Sequence, residues 1–310
     1  MTDFPLISVV MPCFNGAEFL GRSIDSVFEQ TYPHLELIVV NDGSTDGSLA
    51  LLNAIQDSRL ILINQQNTGV CKARNRAIRQ AKGEFIAFLD ADDTWEPDCL
   101  FKLYQAFIKQ PETVLAYCGW QNIGLSGGRG APFIPPDYQR QSNKLECLFE
   151  NCCWPIHATL TRRLAIEQVG GFDESLLTSE DFLLWLKIAS QQLICLVPEV
   201  LAYYHFHEGL QATQNTAKTA INHWLAQKKF LQQDPTLKAT LDEKLLAKLM
   251  HGELLRRGYD CYWKRDLKAA RTIFKAVMKI GYGSLQDWKY MLPSVLPYFI
   301  HSALLNKIDS

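Results

Sequence analysis

The chain has 310 residues, 47% of them hydrophobic, and a net charge of -2 at pH 7. That is enough for one large domain or two smaller ones around a sizeable core, and the near-neutral balance argues against a nucleic-acid partner. No stretch reaches the roughly 18 consecutive apolar residues of a membrane-spanning helix, and the first residues show no basic, apolar leader, so a cytoplasmic protein is expected.

The charge is unevenly placed. Residues 1–214 hold 15 Lys and Arg against 25 Asp and Glu, a balance of -10; residues 215–310 hold 16 against 8, a balance of +8. Such asymmetry suggests two regions with different partners, 1–213 and a basic 214–310. The nine cysteines are odd in number and scattered, several within apolar runs, so they read as reduced core residues. Cys147, Cys152 and Cys153 lack the paired spacing of a zinc site.

In chain order, Ile7 to Met11 is an apolar run closed by Pro12 and predicts the first strand. A helix follows the turn at Asn15-Gly16, with Leu20, Ile24, Val27 and Phe28 on one face. Leu37 to Val40 predicts a second buried strand ending in Asn41-Asp42-Gly43-Ser44. A short helix, a strand over 60–63 and a helix over 69–81 lead to Phe85 to Leu89, the fourth strand. A helix near 97–109 and a strand over 114–118 complete an alternation that predicts an α/β domain with a mainly parallel sheet. Residues 121–141 are rich in Gly and Pro and predict a long loop, a lid or binding loop or else a disordered segment. A helix with Phe182, Trp185, Leu186 and Ala189 on its apolar face begins near Ser179-Glu180-Asp181. From about Thr216 the pattern is helical throughout, with a helical hairpin over 260–280 and an aromatic, aliphatic and basic tail over 285–307. That tail either lies on a membrane surface or packs against the catalytic domain.

The fourth strand ends in Asp90-Ala91-Asp92-Asp93. Ligands bind at the carboxyl ends of strands in open α/β sheets, and three adjacent carboxylates repel unless something cationic sits among them. On an extended chain Asp90 and Asp92 share a face and suit a hard divalent ion shared with phosphates. The alternative is an acidic turn capping the next helix, with Asp93 or Thr94 as N-cap and Pro97 in the first turn. Pro12 and Asn15, Asp42 and Asp46, and Asp90 and Asp92 would converge on one sheet edge, near Arg74 and Asn75 on the helix entered through Asn67-Thr68-Gly69. A carboxylate there can accept from a base or ribose, and Arg74 can pair with phosphate, so a nucleotide joined to a diphosphate suits the pocket. Neither a Gly-x-Gly-x-x-Gly turn nor a phosphate-binding Gly-Lys-Ser/Thr loop is present.

Six stretches in order resemble the family 2 glycosyltransferases: Val9 to Asn15, Ile38 to Asp46, Asn67-Thr68-Gly69, Ala73-Arg74-Asn75, Phe88 to Asp93, and Gly170 to Glu174 followed by Ser179-Glu180-Asp181. The resemblance covers roughly residues 5–210. It implies the nucleotide-sugar-binding GT-A fold, to which the helical pattern from about Thr216 adds a C-terminal all-helical extension, and transfer of a sugar from a nucleoside diphosphate, UDP being the commonest carrier, with inversion. By the resemblance Pro12, Asn15, Asp42, Asn67, Gly69, Arg74, Asp90 and Ala91 bind the nucleotide, Asp42 at its base. Asp92, with Asp90 and His207, holds Mn2+ or Mg2+, and Asp181, beside Glu180, is the catalytic base. At Tyr204 to Gly209, His205 stands where the family often has arginine, which leaves a phosphate contact there in question. Residues 121–141 and 154–157 would shape the site of a glycan or lipid-linked acceptor, consistent with cell-envelope polysaccharide synthesis and peripheral membrane attachment. The competing readings are a non-catalytic sugar-nucleotide or glycan-binding protein on the same scaffold, and a sugar-nucleotide pyrophosphorylase, which would need a Gly-rich basic loop that residues 11–20 lack.

Overall fold

The structure, a computed structural model, describes residues 4–207, 215–233 and 241–300. The chain forms two compact units, residues 1–175 with 184–208, and residues 176–183 with 209–310.

In the first unit, β1 (Ile7–Cys13), β2 (Leu35–Asp42), β3 (Leu60–Gln65) and β4 (Phe85–Phe88) alternate with α1 (Leu20–Phe28), α2 (Ser48–Ala54) and α3 (Val70–Gln80). The four strands pair in parallel in the order β3-β2-β1-β4. The run of β-branched and aliphatic residues in β1 and β2 is buried on both faces, as strands sandwiched between helices must be. Pro12 does not close β1, as the sequence suggested: the strand runs on to Cys13. The pairing with β4 ends at Val10 opposite Phe88, so the ring and missing N–H of Pro12 meet only one neighbouring strand.

The rest of the sheet is mixed. After β5 (Thr94–Trp95) and α4 (Cys99–Lys109) come β6 (Leu115–Ile123), α5 (Lys144–Glu150), β7 (Thr159–Arg162), α6 (Arg163–Gln168), α7 (Glu180–Ala189) and β8 (Ile194–His205). β7 is antiparallel to both β4 and β6, β6 and β8 are parallel, and β5 pairs antiparallel with the end of β8. The core is aromatic, with Phe85, Phe88, Tyr117, Phe149 and Trp185 each less than 2% exposed. In α7, residues Phe182 to Leu186, Ile188 and Ala189 are all buried, more than the one apolar face expected from sequence. The loop after β6 is not featureless: Gln121 and Asn122 side chains donate to the carbonyls of Gly130 and Arg129, and Trp120 and Phe133 exchange backbone hydrogen bonds.

The second unit contains helices Thr216–Gln233, Glu253–Trp263, Leu267–Ile280 and Leu285–Met291. The helical hairpin expected over 260–280 is present, turning at Arg265 (φ 63°) with Asp266 capping the second helix through Ala269 N–H. The two helices approach so closely that a Cβ on Gly258 would lie 2.7 Å from the Phe274 ring. Ile273, Phe274, Val277 and Met291 are fully buried, and Trp288 and Tyr290 pack against that cluster. The near part of the tail therefore packs on this unit's own helices. Leu285 and Phe299 remain 92% and 71% exposed. No helix among the described residues is long and apolar enough to cross a membrane. All nine cysteines are free thiols, six of them buried. Residues 208–209 and 301–307, singled out in the sequence, lie outside the described residues.

Candidate active site

At the carboxyl ends of β1 and β2 two loops are fastened together. Asn15 Oδ1 accepts from Thr45 N–H (2.7 Å), Asn15 N–H donates to Ser44 Oγ, and Gly16 and Ala17 N–H groups donate to Ser48 Oγ and Asp46 Oδ2. Asn15 holds a left-handed conformation (φ 51°), which Asn tolerates better than most residues. Pro12 lies in β1 just before this junction.

Asp42, 3% exposed at the end of β2, is a loop anchor. Its Oδ1 accepts from Thr68 N–H (2.9 Å) and Gln65 Nε2 (2.7 Å), and its Oδ2 from Gly69 N–H (2.9 Å). Asn67 and Gly69 are thereby held in an exposed loop opening α3. Gly43 underlies it, since a Cβ there would come within 2.6 Å of Asn67 N.

The carboxylate stretch is a turn, not the extended chain on which Asp90 and Asp92 would share a face. Asp93 N–H donates to Asp90 C=O (3.1 Å), and the chain bends back into β5. The capping alternative also fails. Asp93 Oδ1 accepts from His205 N–H (3.0 Å) and Thr94 Oγ1 meets His205 Nε2 (2.8 Å), so both side chains are committed to β8, and α4 begins only at Cys99.

Each carboxylate has its own basic partner. Asp90 Oδ1 pairs with the buried Arg74 guanidinium at 2.7 Å. Asp92 Oδ2 faces His207 Nε2 at 3.0 Å. Asp93 meets His157 Nδ1 at 3.1 Å, with both side chains at most 1% exposed. Burial, then the neighbouring charges of Asp93 and Asp90, push the Asp92 carboxyl above its usual range, and the His207 contact opposes this. His157 is buried, which disfavours its charged form, yet the Asp93 carboxylate outweighs that and raises its pKa. Ala91, nearly buried, presents its carbonyl to Ser23 Oγ (2.8 Å).

His205 does not take the place of a phosphate-binding arginine. Burial, then the charge of Arg22, depress its pKa to about 4, so it is a neutral partner of Thr94 at pH 7. A second cation at this edge, besides Arg74, is Arg22 on α1, which the sequence did not single out. Its Nη2 donates to Asp92 C=O (3.1 Å), and Phe19 one turn earlier stacks on His207 with centroids 4.4 Å apart.

Arg74 is fixed from behind. Its guanidinium lies 5.4 Å from the centroid of the Phe172 ring, and Asn75 clamps the Phe172 backbone on both sides. This joins the Ala73-Arg74-Asn75 and Gly170-Gly171-Phe172 stretches into one feature, and a Cβ on Gly171 (φ 71°) would lie 2.7 Å from Asn75 Oδ1. Within 154–157 the side chains of Trp154, Ile156 and His157 are buried, and Pro155 alone of the four is part-exposed.

Glu180 and Asp181 open α7 in the segment that belongs to the second unit. Both are part-exposed; Ser179 before them is left-handed (φ 61°), and Asp181 Oδ1 accepts from Phe182 N–H (2.7 Å).

Within the first unit the fold thus gathers Asp90, Ala91, Asp92, Arg74 and His207, and separately ties Asn15 to the β2 loop and Asp42 to residues 67–69. Among the described residues no three His, Cys, Asp or Glu side chains form a ready metal cage. Asp92 and His207, facing each other, do offer an oxygen and a nitrogen donor, and Asp90 Oδ2 has no protein partner among the described residues. One or two carboxylates completed by substrate phosphates are what Mg2+ or Mn2+ commonly uses, so the donor set fits a shared ion.

The model of the Glycosyl transferase family 2 matches residues 8–168. An uncharacterized glycosyltransferase of Rickettsia typhi is 31% identical, over 73% of this chain and 71% of its own length. A putative teichuronic acid biosynthesis glycosyltransferase, TuaG of Bacillus subtilis, is 29% identical over 72% of this chain and 88% of its own. Among solved structures, S. aureus TarS in complex with UDP-GlcNAc superposes with a TM-score of 0.63 at 20% identity, covering 87% of this chain and 81% of that one. The mannosyltransferase PcManGT of Pyrobaculum calidifontis, in complex with GDP-Man and Mn2+, gives 0.60 at 20% identity, covering 95% and 80%. The sheet, its flanking helices and the helical C-terminal region accord with that GT-A architecture, and the chain belongs to glycosyltransferase family 2.

Proposed function

We propose that the protein transfers a sugar from a nucleoside-diphosphate donor, UDP being the first candidate, to an acceptor hydroxyl with inversion at the anomeric carbon. The observation that carries this reading is Asp92 facing His207 beside the Arg74–Asp90 pair at the carboxyl end of β4. TarS in its complex with UDP-GlcNAc, and PcManGT with GDP-Man and Mn2+, support a nucleotide-sugar donor and a divalent ion. TuaG's name supports a cell-envelope glycan or its lipid-linked precursor as acceptor.

In this reading Asp92, His207 and Asp90 hold the ion, which when bound supplies positive charge against the diphosphate. Asp42 keeps the 67–69 loop in shape beside the base, and Arg74 holds the Asp90 carboxylate in its orientation. Pro12 and Asn15 line the nucleotide side. Asp181 accepts the proton of the acceptor hydroxyl as its oxygen bonds to the anomeric carbon and the bond to the diphosphate oxygen breaks. Glu180 flanks it. We assign this chemistry to residues 1–213 on the cytoplasmic side, and to residues 285–307 of the basic helical region 214–310 a role in bringing the enzyme to a membrane-borne acceptor. Sedimentation with anionic vesicles tests that last role, and vesicle binding that persists after removal of residues 285–310 would contradict it.

The direct test is a panel of nucleotide sugars incubated with Mn2+ or Mg2+. Slow release of nucleoside diphosphate from one donor, lost in Asp92→Ala and kept on binding but not turnover in Asp181→Asn, is expected. Donor binding without turnover under any condition or acceptor would instead favour the non-catalytic reading.

A further inference from the structure

Asp93 is the member of the carboxylate turn that can touch neither substrate nor ion, because it is completely buried. Its two oxygens are used inside the protein. Oδ1 accepts from His205 N–H at 3.0 Å, and Oδ2 meets His157 Nδ1 at 3.1 Å. His157 is itself fixed: its carbonyl accepts from Trp95 Nε1 (2.6 Å), and its ring lies parallel to Tyr204, 6.0 Å away. Thr94, next to Asp93, reaches His205 Nε2 at 2.8 Å and pairs with Tyr203 in the sheet.

These contacts close a circuit. From Asp92 the chain passes to Asp93, across the hydrogen bond to His205, along two residues to His207, and back across 3.0 Å to Asp92. Phe19 stacks on the His207 ring from the outside. The separation of the Asp92 and His207 side chains therefore depends on the Asp93–His205 link, which stands one residue from Asp92 and two from His207 in the chain.

We propose that Asp93, braced by His157, is a positioning residue: it sets the register between the carboxylate turn and the end of β8 so that Asp92 and His207 converge on one ion. This rests on the reading of Asp92 and His207 as ion ligands. It differs from a merely structural role in what it predicts. Loss of the link should impair ion-assisted binding of a diphosphate more than binding of the nucleotide itself.

The test uses the full chain and calorimetric binding of UDP and GDP, each with and without Mn2+, alongside circular dichroism and thermal melts. In Asp93→Ala the enhancement of nucleotide binding by Mn2+ is expected to fall by about tenfold or more, the scale seen when groups that orient metal ligands are removed. Binding without Mn2+ should stay within about twofold. Asp93→Asn keeps an oxygen for His205 N–H and should recover part of the enhancement. Should Asp93→Ala fail to fold, Thr94→Val and His157→Gln carry the test, each lowering the enhancement in a folded protein. Wild-type protein that binds UDP or GDP with no Mn2+ enhancement would overturn the ion-site reading and this inference with it. Normal enhancement in the wild type, unchanged in folded Asp93→Asn, Thr94→Val and His157→Gln, would overturn this inference alone.

Discussion

Asn75→Ala perturbs the junction that holds Arg74 in place. Asn75 is 8% exposed; its Oδ1 accepts from Phe172 N–H (2.9 Å), and its Nδ2 donates to Phe172 C=O (3.0 Å) and Glu174 Oε1 (3.0 Å). Truncation leaves a buried backbone N–H and C=O without partners, each costing about 1–3 kcal/mol. Loss of the Glu174 contact adds less, because that residue is exposed. Water entering the small gap offsets part of the cost, so a destabilisation of about 2–4 kcal/mol is expected. Urea unfolding gives the magnitude, and segment-resolved amide exchange should place the loss of protection at residues 170–175 and the Arg74 turn of α3. Gly171→Ala, whose added Cβ meets Asn75 Oδ1, should lose protection in the same segment. A cost below about 1 kcal/mol for Asn75→Ala, with protection at 170–175 intact, would refute the claim that this clamp carries the Phe172–Arg74 arrangement.

His205 gives a pH prediction. Its folded pKa of about 4 lies below the ordinary 6.5, so the unfolded chain binds a proton first as pH falls. Its contribution to stability is complete above about 6.5 and is lost as pH falls towards about 4; His205→Gln should flatten that slope in pH-dependent urea midpoints. Asp266→Ala removes the cap that accepts from Ala269 N–H, and should cost the helical hairpin about 1 kcal/mol in thermal or urea unfolding. Gly258→Ala should cost more, because its Cβ would sit 2.7 Å from the Phe274 ring and force the two helices apart.

Much of the first unit was legible because burial on both faces writes itself as unbroken apolar runs. Residues 7–11, 37–40 and 85–89 could be read as parallel strands on that ground, and 69–81 as a helix from its period. The antiparallel half was less legible. β5 is two residues long, and β7 is short and rich in Thr, so neither carries a periodic signal. The bend at Asp90 to Asp93 could not be told from an extended end, because what bends it is the distant strand β8, linked through His205 to Asp93 and Thr94. The partners of the three carboxylates show the same division. Arg74 stood in a recognisable stretch, whereas His157 was one histidine in an apolar segment, and Arg22 and Phe19 looked like ordinary positions of an amphipathic helix. For Asp42 the family resemblance implies a base contact, while Asn41-Asp42-Gly43-Ser44 is equally good turn chemistry; only the folded chain shows its oxygens engaged by Gln65, Thr68 and Gly69.

The central claim is that Asp92 and His207 bind a divalent ion together with the diphosphate of a sugar nucleotide. Calorimetric titration of UDP and GDP into the full-length protein, in Mn2+ and in EDTA, tests it most directly when repeated on Asp92→Asn and His207→Ala. The account predicts that one nucleotide binds more tightly in Mn2+ and that each substitution removes this gain while leaving binding in EDTA nearly unchanged. Equal affinities in Mn2+ and EDTA for the wild type, or a gain that survives both substitutions, would contradict it.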